Sequence, residues 1–132
     1  MDTTVLIADD DVNAQIIAET LLSLRGFHVR RAADGTEACD IVREEEIAVV
    51  VLDLSLPGMN GFELLRRLRG RFGPLPPGST PRILAVTSRG DPEVERFARR
   101  LGADAFLRKP LVPLRFVTAV EQLVGSATPQ AA

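Results

Sequence analysis

The chain of 132 residues has little cysteine, few aromatic side chains and no long hydrophobic run. Its single cysteine, Cys39, cannot form an internal disulfide, so nothing calls for an oxidising compartment. No apolar stretch approaches the length that crosses a bilayer, and the N-terminal residues lack the basic lead-in of a signal peptide. We therefore expect a cytoplasmic protein without a membrane partner.

Composition and length indicate one globular domain. Hydrophobic residues make up 45% of the chain and charged residues 26%, which is typical of a folded protein and excludes a disordered one. No internal repeat or second domain is visible. We expect a domain over residues 1–125, a frayed tail over residues 126–132 and no attached output domain.

The charges are unevenly distributed, although the net charge is only −2. Residues 1–65 carry 4 basic and 13 acidic side chains, whereas residues 66–132 carry 12 basic and 5 acidic ones. The arginines either form a docking surface or only solvate helix faces, and both interpretations stay open. Nucleic acid is a poor fit as a partner, because no aromatic residues interleave with the basic ones and the total charge is negative.

Apolar runs of strand length alternate with segments of helical periodicity. The five runs are residues 4–8, 28–32, 48–52, 82–87 and 104–107. Such alternation predicts a parallel sheet covered by helices on both faces. The second run is polar and the fifth is short, as is typical of edge strands. We therefore predict a doubly wound (βα)5 α/β fold with the flavodoxin-like strand order 2-1-3-4-5.

Capping residues and apolar stripes predict a helix after each run. The predicted helices lie near residues 12–25 and begin at Asp34, Asn60, Asp91 and near Pro113. The first helix is expected to carry its apolar face on Ile16, Ile17, Thr20, Leu21 and Leu24. The fifth is expected to carry its apolar face on Leu114, Val117, Val120 and Val124.

Residues 70–81 contain four prolines and three glycines, so neither a helix nor a strand persists there. A loop between the third helix and the fourth strand is the favoured interpretation. A polyproline recognition site is the alternative, and its role stays open.

Aspartates end two of the apolar runs. Asp9, Asp10 and Asp11 follow the first run, and Asp53 follows the third. Because parallel strands end at the same edge of a sheet, these carboxylates are expected to meet in one cleft. Like charges so close cost Coulomb energy unless a cation lies among them. A hard divalent cation with oxygen ligands, together with a phosphoryl group, is the natural occupant.

Four separated motifs occur in order: LIADDD at 6–11, VVLDLSLPGMNGFELL at 50–65, AVTS at 85–88 and FLRKP at 106–110. Over residues 4–124 the chain resembles the receiver domain of bacterial two-component response regulators, in the stand-alone form of the chemotaxis regulator. This resemblance implies a phosphoacceptor signalling protein rather than an enzyme, with chemistry limited to its own phosphorylation and dephosphorylation.

The resemblance also assigns roles to residues at the strand ends. It implies that Asp53 accepts a phosphoryl group from a phosphohistidine. It implies that Mg²⁺ is held by Asp10 directly, by Asp9 through water, by Asp53 and by the backbone carbonyl of Ser55. Lys109, before a proline in a cis peptide bond, is expected to place its ammonium beside Asp53.

Further residues follow from the same resemblance. The hydroxyl of Thr87 is expected to donate to the phosphoryl group, and Phe106 is expected to turn inward as Thr87 moves. Ser55 and Arg89, each two positions after a site residue, are expected to tune the lifetime of the phosphoryl group in a direction the sequence does not reveal.

The implied upstream partner is a sensor histidine kinase or a histidine phosphotransfer protein. The implied downstream partner is an unidentified protein that binds the face formed by the fourth helix, fifth strand and fifth helix. Signalling to a motor and relay of the phosphoryl group both stay open. A pseudo-receiver that binds proteins without phosphorylation is one alternative, but no site residue is missing. A haloacid-dehalogenase-like phosphatase is another, but its nucleophile belongs after the first strand.

Overall fold

The computed structural model describes residues 3–55, 61–69, 81–88 and 91–127. The strands are β1 (Thr4–Ala8), β2 (His28–Ala32), β3 (Val49–Asp53), β4 (Arg82–Thr87) and β5 (Ala105–Arg108). The helices are α1 (Val12–Ser23), α2 (Gly35–Glu44), α3 (Gly61–Leu68), α4 (Pro92–Leu101) and α5 (Pro113–Ala127). Strands and helices alternate along the whole of this order. None of the described helices is long and apolar enough to span a membrane.

The strands form one parallel sheet in the order β2-β1-β3-β4-β5, which confirms the predicted topology. Ala8 at the end of β1 pairs with Ala32 at the end of β2, and Asp53 at the end of β3 pairs with Val86. The carboxyl ends of the strands therefore lie along one edge. Three strands have the predicted bounds, whereas β3 and β5 each lie one residue later than predicted.

An apolar layer covers each face of the sheet. Successive side chains of a strand point to opposite faces, so Val50 and Val51 of β3 enter different layers. The layer containing Val50 is completed by α2, α3 and α4, and the layer containing Val51 by α1 and α5. Because β3 lies at the centre of the sheet, all five of its residues are buried. The strand that ends in Asp53 is thus fixed from both sides.

Helix α1 buries a different face from the predicted one. Its buried residues are Gln15, Ala18 and Leu22. Of the residues expected to form the apolar face, Leu21 is partly buried, whereas the others are exposed: Ile16, Ile17, Thr20 and Leu24. The prediction was wrong because α1 is apolar on more than one side, so periodicity alone does not identify the side that meets the sheet.

Helix α5 follows its predicted apolar face in part. In α5, Val117 and Val120 are buried as predicted, but Leu114 is exposed and the buried Phe116 was missed. The helix continues to Ala127, two residues past the predicted end of the domain. Three predicted features lie outside the described residues: residues 128–132 of the tail, the start of α3 at Asn60 and residues 70–80 of the loop.

The predicted N-caps are present where the chain is described. Asp34 accepts from the backbone N–H of Glu37 at 2.8 Å, and Asp91 accepts from that of Glu93 at 2.9 Å. In α2, the spacing of Asp34 and Glu37 is that of a capping box, in which Glu37 would accept from the N–H of Asp34. The Glu37 carboxylate instead accepts from the N–H of Ala33, one residue earlier.

Candidate functional site

Three carboxylates meet at the carboxyl edge of the sheet. Asp9 and Asp10 follow β1 directly, and Asp53 is the last residue of β3. Each offers one oxygen, and the three oxygens lie within 4.8 Å of one another. Asp9 and Asp53 are 7% and 6% exposed, whereas Asp10 is exposed at the mouth of the cleft. The gathering of like charges that the strand ends predicted is therefore confirmed for Asp9, Asp10 and Asp53.

The set of donors suits a hard divalent cation. Mg²⁺ prefers carboxylate oxygens, keeps several waters and needs only a few protein ligands. Three carboxylates this close, two of them buried, supply such ligands and leave the exposed side open to water. The residues present thus fit the ion that the resemblance implies.

Lys109 lies between the two buried carboxylates. Its ammonium donates to Asp9 Oδ2 at 2.9 Å and to Asp53 Oδ2 at 3.2 Å. Its backbone N–H donates to Thr87 O at 2.8 Å, which holds the residue at the end of β4. The Lys109–Pro110 peptide bond is cis, as the resemblance implied. The chain has no other lysine, and the ammonium of this one lies beside Asp53, as the resemblance implied.

The surroundings of Lys109 favour its charged form. Burial alone lowers the pKa of Lys109, but the hydrogen bond to Asp9 and the charges of Asp53 and Asp9 outweigh burial and raise the pKa above its ordinary value. A lysine whose pKa is higher in the folded state stabilises that state at neutral pH. The stabilisation is lost only as the pH rises from the ordinary pKa through the raised one.

Backbone N–H groups fix the two buried carboxylates. The N–H of Asp11 donates to Asp9 Oδ1 and the N–H of Ser55 donates to Asp53 Oδ1, each at 2.9 Å. Each carboxylate thus gives one oxygen to the backbone and turns the other toward Lys109. Asp11 itself caps α1, accepting from the N–H of Asn13 at 2.9 Å, and takes no part in the cluster.

A glycine lets α3 begin directly against the segment that follows Asp53. A Cβ on Gly61 would lie 2.5 Å from the Cα of Leu54 and closer still to the Leu54 carbonyl oxygen. No real Cβ tolerates such a contact with backbone, so a larger residue at this position has to displace α3 or the end of β3. The glycine of the second motif therefore supports the placement of Asp53 and Ser55.

The remaining predicted residues lie around the same edge. Thr87 ends β4 and is almost fully buried, and Ser55 is exposed. Phe106 of β5 is partly buried and packs against the layer formed with α2, α3 and α4. It also lines a cavity of about 290 Å³ together with Arg108 and Arg115. Arg89 lies outside the described residues.

The sequence interpretation missed one buried polar residue beside the cluster. Gln15 of α1 is 6% exposed, and its side-chain amide donates to the carbonyl oxygen of Asp9. The sequence contains one signal for the burial of Gln15: it lies three positions before Ala18 and seven before Leu22, so the three residues share a helix face. It was passed over because the apolar residues of α1 suggested another face.

A second cavity, of about 270 Å³, opens beside the cluster between α1 and α5. Asp9 and Lys109 lie on its wall, and its other lining is mostly apolar, including Ile17, Leu21 and Phe116. Ile17 is 60% exposed, and Val12 and Ile16 of the same helix are also exposed. An exposed apolar residue, Ile17, thus shares the wall of this cavity with Asp9 and Lys109.

The chain belongs to the response regulator receiver domain family, whose model matches residues 5–121. This is a family of signalling domains and not a known enzyme family.

Among curated proteins, the chain is 32% identical over 126 residues to the transcriptional regulatory protein GltR of Pseudomonas aeruginosa, covering 94% of the chain and 50% of the relative. It is 34% identical over 130 residues to the response regulator MprA of Mycolicibacterium vanbaalenii, covering 98% and 53%. The chain spans about half the length of these curated relatives.

Solved structures of similar chains agree with the fold. A putative response regulator from Chloroflexus aurantiacus superposes with a TM-score of 0.85 at 32% identity, covering 95% of this chain and 99% of that one. The chemotaxis response regulator CheY4 of Vibrio cholerae superposes with a TM-score of 0.80 at 27% identity, covering 93% and 99%.

Proposed function

We propose that this chain accepts a phosphoryl group from a phosphohistidine onto Asp53, with Mg²⁺ held by Asp9, Asp10, Asp53 and the backbone carbonyl of Ser55. The proposal rests on one observation. Of the three clustered carboxylates, those of Asp9 and Asp53 contact the ammonium of Lys109. These four groups leave two negative charges without compensation, which is the charge that one divalent cation balances.

The proposed transfer needs positioning and charge compensation more than covalent chemistry. Bound Mg²⁺ would supply positive charge to the carboxylates and to the phosphoryl oxygens. Asp53 attacks phosphorus with a carboxylate oxygen, the P–N bond of the phosphohistidine breaks, and the imidazole leaves. Lys109, which contacts Asp53 Oδ2 before transfer, then donates to a phosphoryl oxygen. Thr87 is assigned the role of donating its hydroxyl to the same group.

The proposed output is a shift between two conformations of the receiver unit, which we take as residues 1–125. Movement of Thr87 toward the phosphoryl group would let Phe106 turn further inward, because Phe106 is only partly buried at present. The surface of α4, β5 and α5 beside it would then change its affinity for a partner protein or a relay partner. Exposed arginines on this surface, among them Arg96, Arg100 and Arg115, favour an acidic partner surface.

Incubation of the protein with acetyl phosphate and Mg²⁺, followed by intact-mass measurement, tests the proposed function. We expect the gain of one phosphoryl group, its loss on treatment with hydroxylamine, and no gain in the presence of a metal chelator. Absence of any gain under a series of divalent metals would instead favour the pseudo-receiver, a module that binds proteins and keeps the site without its chemistry.

The exposed apolar residues of α1 are proposed to receive the protein that carries the phosphohistidine. Asp53 is nearly buried, so the donor imidazole has to enter the cleft from its mouth. Ile17 lines the cavity that also contains Asp9 and Lys109, and Val12 and Ile16 are exposed on the same helix. An apolar surface that adjoins the reacting group suits a partner that must dock before transfer.

Ile17→Asp is expected to slow phosphotransfer from a phosphorylated histidine phosphotransfer domain about tenfold, the effect of losing about 1.4 kcal/mol of docking energy. Phosphorylation by acetyl phosphate, which needs no docking, is expected to stay unchanged. Leu24→Asp is the matched control, because Leu24 is 79% exposed but lies about 10 Å further along the helix axis. Equal slowing by both substitutions, or slowing with acetyl phosphate as well, would contradict this docking surface.

A further inference from the structure

Four polar or charged residues are buried among the described residues: Asp9, Gln15, Asp53 and Thr87. Three of them lie at the ends of strands and belong to the proposed chemistry. Gln15 is the fourth, and it lies on a helix. A buried amide costs free energy unless it makes hydrogen bonds, so the partners of Gln15 show what its burial achieves.

The Gln15 amide joins the ends of two strands. Its Nε2 donates to the carbonyl oxygen of Asp9 at 2.5 Å and to that of Ala32 at 3.5 Å. The carbonyl of Ala32 also accepts the backbone N–H of Asp9 at 3.0 Å. One side chain from α1 thus holds the residue after β1 against the last residue of β2.

The carbonyl that Gln15 holds belongs to the peptide between Asp9 and Asp10. A peptide group is planar, so fixing its oxygen also fixes its N–H and the positions of the two Cα atoms that flank it. Both of these residues project a carboxylate into the cluster. Without the amide, the Asp9 carbonyl loses a buried partner, and the peptide gains freedom to rotate.

We propose that Gln15 is a positioning residue for the metal ligands: its amide fixes the Asp9–Asp10 peptide so that both carboxylates reach one ion. This inference rests on the proposed function, because it concerns the ion that the carboxylates hold. Groups that orient metal ligands without touching the metal commonly change metal affinity by 10–100-fold when removed. Gln15 acts on the backbone of the ligands and not on their carboxylates.

Gln15→Met keeps an unbranched side chain of similar length and removes the donor. We expect its dissociation constant for Mg²⁺ to rise about tenfold, measured by titration calorimetry without any phosphodonor. The Mg²⁺ concentration for half-maximal phosphorylation by acetyl phosphate should rise by the same factor. The rate at saturating Mg²⁺ should stay close to that of the wild type, because the bound ion then restores the ligand geometry.

Leu22→Ala is the control, because Leu22 is fully buried on the same face of α1 but its side chain has no donor that could bond to either strand end. It is expected to lower stability and to leave the affinity for Mg²⁺ unchanged. Wild-type affinity in folded Gln15→Met, or an equal loss of affinity in Leu22→Ala, overturns the inference. Should Gln15→Met not fold, Gln15→Ala carries the same expectation.

The calorimetry also separates two kinds of failure. If the wild-type chain binds no Mg²⁺, the proposed function fails and the role of Gln15 fails with it. If the wild type binds Mg²⁺ and Gln15→Met binds it equally well, only the role of Gln15 is wrong.

Discussion

Asp53→Asn is expected to abolish phosphorylation by acetyl phosphate in the presence of Mg²⁺. The substitution removes the oxygen nucleophile but keeps the size of the side chain and an oxygen that can accept the N–H of Ser55. It also removes one of three clustered carboxylates, so Mg²⁺ should raise the melting temperature less than it does for the wild type. Intact-mass measurement and thermal unfolding with and without Mg²⁺ check the two expectations.

Asp11→Asn is the matched control for this substitution. Asp11 lies beside the cluster in sequence, but its carboxylate caps α1, and asparagine caps helices about equally well. We expect this variant to be phosphorylated at the wild-type rate. Phosphorylation of Asp53→Asn to the wild-type extent would place the acceptor on another residue and would remove the basis of the proposed mechanism.

The positions of the clustered carboxylates followed from the sequence because they depend on two general rules. Apolar runs identify the strands, and parallel strands end at one edge. The predicted order 2-1-3-4-5 makes the first and third strands neighbours, so Asp9 and Asp53 had to lie near each other. The position of Lys109 does not follow from these two rules, because the spacing of a single lysine does not predict contacts to two carboxylates. Its FLRKP motif and the resemblance to the family supplied that prediction.

The burial of Gln15 does not follow from the strand rules, and the signal from its spacing to Ala18 and Leu22 was weak. Its partners are carbonyl groups of Asp9 and Ala32, which come together only when β1 and β2 pair. Periodicity ranks positions by hydrophobicity and assigns such a glutamine to solvent. Ile17 was predicted to lie on the buried face of the helix, but it is exposed. Periodicity does not separate the two cases, because an apolar residue beside a functional cleft produces the same pattern as one in the core.

Lys109→Met is expected to have two opposite effects. Phosphorylation by acetyl phosphate should slow about 10²–10³-fold, the usual loss when a charge-stabilising donor leaves a reacting centre. The affinity for Mg²⁺ should increase, because the ammonium contacts Asp9 and Asp53 and repels a cation that binds the same carboxylates. Rates at saturating Mg²⁺ and titration calorimetry measure the two effects separately. Arg108→Met, which removes an exposed charge one position earlier, should change neither by a comparable factor.

The difference in unfolding free energy between the wild type and Lys109→Met is expected to shift in favour of the variant as the pH rises into the alkaline range. The raised pKa of Lys109 adds a contribution to wild-type stability that is present at neutral pH and fades as the pH rises beyond the ordinary lysine value of 10.5. Burial also raises the pKa of the Cys39 thiol, but both proteins contain Cys39, so its contribution cancels in the difference. Denaturant unfolding of both proteins across the alkaline range measures this difference. An advantage that persists unchanged at high pH would show that Lys109 stabilises the site by packing rather than by its charge.

A fall in the affinity for Mg²⁺ in the variant would mean that the ammonium organises the carboxylates for the ion instead of competing with it.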